Sequence, residues 1–186
     1  MKRFFLAAAI MLCLFSLFSC GNEDLNIIAP SFDGGIYSGF SDVPSEYDTL
    51  QALEDGCYVI EDSKLLGGKE KWEKFLSDSS KGEDSFLRAV HFVEGEPYFT
   101  DIYYLDGVYQ TFEKNHELGI TEGKKFSLLR RLDGKDGIPE KDAYFYVLTD
   151  SEELTYKDVS WSFLSSDHRT VTDIPFEWLG FTVYLD

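Results

Sequence analysis

The chain has 186 residues, enough for one domain with a sizeable core. Its 34 acidic and 17 basic residues leave a formal net charge of −17, which argues against nucleic acid and anionic lipid surfaces as partners. That charge suits a basic partner, bound cations or plain solubility, and 16 Phe and 11 Tyr rule out an acidic disordered tail.

In chain order, the first signal is an address. Lys2-Arg3 form a charged start and Phe4–Phe18 an apolar run interrupted by Ser16, shorter than the roughly 20 residues that span a bilayer. The run ends in Leu17-Phe18-Ser19-Cys20, which resembles a bacterial lipobox, with Phe18 bulkier than usual at its position. The resemblance implies cleavage before Cys20, a diacylglyceryl thioether on its sulfur and acylation of the new amine, a palmitate-type anchor. Two acyl chains hold a protein at a membrane where one binds only marginally. The expected organisation is therefore a lipoprotein signal peptide over 1–19, a Gly-, Ser- and Asp-containing tether over 20–44, and a single domain over 45–186. The domain would face outside the cytoplasm, at the cell envelope. Cys13 leaves with the signal and Cys20 takes the lipid, so Cys57 stands alone and reads as a small buried hydrophobe.

Asp48–Asp55 reads as a short helix with Asp48 or Thr49 as its cap and Gly56 as its stop. Cys57–Glu61 is a short strand. After Gly67-Gly68, Lys69–Ser79 places Trp72, Phe75 and Leu76 on one face of a second helix. Phe86–Phe112 then predicts a three-stranded antiparallel meander. Asp106-Gly107 is a two-residue turn and Glu94–Pro97 a four-residue loop that sets Val93 against Tyr98 and Val90 against Asp101. Alternation sorts the meander into two faces. Phe86, Arg88, Val90, Phe92, Phe99, Asp101, Tyr103 and Phe112 share the Phe-rich one, expected to carry the Trp72 helix, with Arg88 and Asp101 pairing diagonally. Leu87, Ala89, His91, Tyr98, Thr100, Ile102, Tyr104, Tyr109 and Thr111 share the Tyr- and Thr-rich one. Beyond it, 115–123 and 133–141 read as loops, Lys125–Leu132, Ala143–Thr149 and Val159–Leu164 as strands, and Ser151–Thr155 as a helical turn. Trp178–Leu185 reads as a last strand with Gly180 at a bulge or close approach. The fold class is α+β: an antiparallel sheet of five or more strands with one or two helices on one face.

Ala52–Gln110 resembles a family of small bacterial lipoproteins that carry a domain of unknown function. The matching order is Ala52-x-x-x-Gly56, the apolar Val59-Ile60, the K-W-E-K-F core of Lys71–Phe75, the Gly82–Asp84 loop, and the LRAVHFVEGEPYFTDIYY strands with their Asp-Gly turn. The resemblance implies extracytoplasmic attachment and a compact α+β domain, and it implies no catalytic residues.

The chemistry-bearing residues are few. His91, His116 and His168 stand at no metal-ligand spacing, and Ser166-Asp167-His168 are neighbours in sequence, so they cannot form a relay. Asp133–Gly137 lacks the oxygen ligands of a calcium loop, and no nucleotide or cofactor fingerprint is present. No catalytic residue, metal site or cofactor is therefore assigned. Tyr98, Tyr104 and Tyr109 would cluster on the second sheet face as a binding surface, unless later strands or helices cover it. The function expected is a protein- or envelope-binding module for a basic partner. The alternative is an accessory envelope lipoprotein with no dedicated ligand.

Overall fold

The computed structural model describes residues 29–115, 118–164 and 172–185. The expected signal peptide, Cys20, His116 and Ser166-Asp167-His168 lie outside them. The fold is α+β and mostly strand. A six-stranded sheet, a three-stranded sheet and a two-stranded ribbon stand with three helices among the described residues.

The N-terminal ribbon pairs β1 (Phe32–Asp33) with β2 (Ile36–Tyr37). Helix α1 (Thr49–Glu54) follows, capped as expected by Asp48, whose carboxylate accepts the Gln51 amide at 2.8 Å. It ends in a Schellman motif: the Gly56 amide donates to Leu53 and the Cys57 amide to Ala52, with Gly56 at φ +74°, where a side chain would strain the backbone. β3 (Tyr58–Glu61) and β4 (Lys64–Gly67) form a hairpin, and α2 (Lys69–Ser80) crosses over to β5 (Ser85–Val93). β5 runs parallel to β3, so the large sheet is mixed and not purely antiparallel as expected. The connection explains this: β4 brings the chain back towards the start of β3, and α2 then carries it to β5, which sets off in the direction of β3.

β5, β6 (Glu96–Leu105) and β7 (Val108–Asn115) form the predicted meander, and β8 (Gly119–Glu122) extends it where a loop was expected. Asp106-Gly107 is the expected two-residue turn, and Leu105 faces Val108. The first turn is also two residues, Glu94-Gly95, both at positive φ, so Val93 faces Glu96 and Val90 faces Phe99. The register is shifted by two from expectation, which preserves both faces. It also sets Arg88 directly opposite Asp101 rather than diagonal to it.

The helix lies on the other face from the one expected. Trp72 and Phe75 of α2 pack with Tyr58, Leu87, Ile102, Tyr104 and Tyr109, on the Tyr-bearing side. The three-stranded sheet covers the rest of that side through Tyr144, Tyr146, Leu148, Leu179 and Phe181. It consists of β9 (Leu128–Asp136), β10 (Lys141–Thr149) and β11 (Phe176–Tyr184), with β10 central. β9 therefore runs on into the loop expected over 133–141 and ends at Asp136. A bulge in β11 at Gly180 (φ +84°) shifts its register on β10. The last helix, α3 (Tyr156–Leu164), backs this small sheet with Val159 beside Phe145 and Val147. It occupies the Val159–Leu164 stretch expected as a strand. Thr155 and Asp158 cap it reciprocally, the Thr155 hydroxyl donating to the Asp158 carboxylate at 2.6 Å and the Asp158 amide to the Thr155 oxygen at 3.2 Å.

The Phe-rich face is closed by the segment expected as tether. Tyr37 and Phe40 are buried with Tyr47, Ala52 and Val59 against Val90, Phe92, Phe99 and Phe112. Helices thus lie on both faces of the large sheet and not on one. Tyr37 stacks on Phe112 with ring centroids 4.0 Å apart. At the centre of this layer Asp101 is fully buried. It accepts from Arg88 Nε and Nη2 at 2.6 and 2.7 Å and from the Tyr37 hydroxyl at 2.6 Å. Tyr37 has spent its proton, so Tyr103 donates to it at 2.9 Å. Arg88 Nη2 also donates to the Gly39 carbonyl at 2.6 Å, and its guanidinium lies over the Phe40 ring. Burial opposes the Arg88 charge, but the bond and charge of Asp101 outweigh it and raise the guanidinium pKa. Removing one partner of such a pair leaves a buried charge uncompensated. Asp101→Ala is therefore expected to lose about 3–5 kcal/mol in chemical denaturation. Arg88→Met with Asp101→Leu should lose much less.

Candidate functional site

β3 is short and β5 is long, and the difference opens a cleft. Their pairing starts with Tyr58 beside Ala89. Upstream of Tyr58 the Cys57 amide is already committed to closing α1, so β3 cannot continue along β5. Ser85–Arg88 therefore pair with β6 on one side and face a cleft of about 850 Å³ on the other. The loop Asp42–Pro44, Tyr47, the α1–β3 turn at Asp55–Cys57 and α2 at Lys71, Lys74 and Asp78 form its walls, and Glu83 and Asp84 its end. The size falls in the range of ligand-binding clefts.

Most cations in this lining are already paired. Lys74 bonds Asp78 at 2.5 Å and Arg88 is held by Asp101, while Lys71 has no carboxylate within 4 Å among the described residues. Asp42, Asp55, Glu83 and Asp84 have no cation at that distance among the described residues, which leaves an acidic rim. The Tyr47 hydroxyl donates to Asp55 at 2.7 Å, and with Gln51 it holds the Asp55 carboxyl below the usual range. Cys57 is buried as expected, and burial pushes its thiol pKa up against the opposing Tyr47 contact, which disfavours a nucleophilic thiolate. Among the described residues that line the cleft, one buried side-chain group is unsatisfied: the Ser85 hydroxyl, in a residue only 4% exposed, has no hydrogen-bond partner.

The Tyr surface expected from the sequence does not form. Tyr104 and Tyr109 face each other, ring centroids 4.7 Å apart, and are buried beneath α2 and the small sheet at 9% and 8% exposure. Tyr98 is 36% exposed, six residues along β6 and opposite His91. The Asp133–Gly137 stretch is the end of β9, where Asp133 pairs with Arg131 and Asp136 accepts from Tyr184. Among the described residues no three His, Cys, Asp or Glu side chains converge to hold a metal ion.

No family model, curated protein or solved structure matches this chain.

A second polar cluster joins the two sheets. Glu177 of β11 accepts from the Thr111 hydroxyl of β7 and from the Lys124 amide, the latter at 2.9 Å. His91 Nδ1–H donates to the Gly180 carbonyl at 3.1 Å, and burial lowers the His91 pKa against that bond, which favours the neutral ring. Glu113, across from Thr100 on β7, lines a small cavity with His91, Tyr98 and Asn115. Burial first, then the Glu177 charge, raise its pKa from 4.5 to about 7. The folded state thus holds a proton that the unfolded state releases. The Glu113 contribution is complete below about pH 4.5 and is lost as pH rises through about 7. Glu113→Gln should be stabilised relative to the native protein above pH 7 and lose that advantage below pH 5, by thermal melting across this range. Equal melting differences at both ends would exclude this assignment.

Proposed function

We propose that this protein is a lipid-anchored, extracytoplasmic module that binds a basic protein or envelope component through the cleft beside β5. The acidic rim with its unpaired strand edge is the observation that carries the binding reading. Carboxylates around a recess favour encounter with a cationic partner and make the complex sensitive to salt. The anchor rests on the sequence of Lys2-Arg3, Phe4–Phe18 and Cys20. Ten residues separate Cys20 from Ser31, a span of at most about 35 Å, so the cleft would work close to the membrane surface. Binding is favoured over catalysis because burial disfavours the Cys57 thiolate, and Tyr47, Lys74 and Arg88 of the lining are held in bonds to Asp55, Asp78 and Asp101. An accessory envelope lipoprotein with no dedicated ligand is the competing reading.

Full-length protein should take up labelled fatty acid, and Cys20→Ala should abolish the label and release the chain from the membrane fraction. In affinity capture from an envelope extract, a partner retained at low salt should be lost at high salt. Asp42→Lys with Glu83→Lys should weaken its capture. Capture that ignores both salt and the rim charges would contradict the electrostatic reading, and capture of nothing at either salt would favour the accessory role.

A further inference from the structure

We infer that the cleft receives an extended basic peptide segment that adds as a strand to the free edge of β5 at Ser85–Arg88, in line with β3. The inference rests on the binding reading above and names its ligand class.

An unpaired strand edge is a template for another chain, and folded proteins usually cover it or interrupt it. Here one side of β5 over Ser85–Arg88 is paired with Tyr104–Asp101 of β6, whereas the other opens into the cleft. In a strand, alternate residues direct backbone N–H and C=O groups to opposite neighbours, so part of this edge is oriented for a new partner. The free stretch is about 13 Å long, room for four residues of an added strand. β3 defines the line such a strand would take, and the Schellman closure of α1 keeps the protein's own chain from taking it.

Two further observations point to a ligand. The buried, unpartnered Ser85 hydroxyl lies in the cleft lining at the start of the free edge, where a polar side chain on the same face of an added strand would partner it. The rim carboxylates Asp42, Asp55, Glu83 and Asp84 have no cation within 4 Å among the described residues, so cationic side chains on the added strand would meet complementary charge. Phe86 is half-exposed beside the same edge and supplies apolar surface for the side chains that alternate with the cations. A segment alternating Lys or Arg with β-branched residues fits both features.

The test uses the full chain in detergent micelles and a labelled decapeptide alternating Lys and Val, with a second copy N-methylated at alternate residues. Binding is followed by fluorescence anisotropy, and the backbone by amide hydrogen exchange. The expected result is salt-sensitive binding of the first peptide, weakening by about tenfold or more on N-methylation, and new protection within Ser85–Arg88. Equal binding of the two peptides, or protection confined to other segments, overturns strand addition and leaves the basic-partner reading standing. No binding of either peptide, while an envelope partner is still captured in a salt-sensitive way, overturns strand addition in the same manner. Failure of both the peptides and the capture overturns the binding reading itself.

Discussion

A carboxylate with no solvent exposure is expensive unless its lone pairs are filled and its charge is balanced, and Asp101 meets both demands with groups from two other parts of the chain. Arg88 comes from the neighbouring strand β5 and Tyr37 from the N-terminal ribbon, while the same guanidinium reaches the Gly39 carbonyl. Neither Asp101 nor Arg88 can be satisfied by the sheet alone. The N-terminal segment therefore folds down onto the Phe-rich face, with Phe40 beneath the guanidinium and Tyr37 stacked on Phe112. A segment that begins close to the expected membrane anchor thereby becomes part of the core.

That placement also builds the cleft. Continuing from Phe40, the chain passes through Asp42–Pro44 and Tyr47, which form one wall, while α2 forms the other and Arg88 lies where they meet along β5. The closure of α1 by the Cys57 amide shortens β3 and leaves the β5 edge open. Charge satisfaction on one face and helix termination beside it thus produce the recess together. In physical terms the recess is a gap in strand pairing rather than a preformed apolar pocket, which is why its proposed ligand is backbone.

Much of the fold was legible in local sequence. The Asp106-Gly107 turn, the Trp72 stripe of α2, the Asp48 cap and the division of the meander into two faces all follow from short-range chemistry. The turn at Gly95 was placed but read as the four-residue loop Glu94–Pro97, because glutamate is an uncommon residue at positive φ. Which face the helix covers was not legible, since both faces of the meander are apolar enough to be core and both are covered. The alternation of Val159, Trp161 and Phe163 imitated a strand, and the decisive signal was the capping pair Thr155 and Asp158 just upstream. Tyr104 and Tyr109 were expected at a surface, but the small sheet from the end of the chain covers them. The cleft itself could not be read from sequence, because it depends on where β3 stops relative to β5, a relation between strands far apart in the chain.

The most direct test of the dependence on Asp101 is amide hydrogen exchange on the native protein and on Asp101→Asn, which keeps the side chain's shape and removes its charge. If the buried charge pins the N-terminal segment, residues 37–43 should lose protection in the variant while the β5–β6–β7 core keeps it. Unchanged protection over 37–43 would show that packing alone holds the segment down and would contradict the role assigned to the charge.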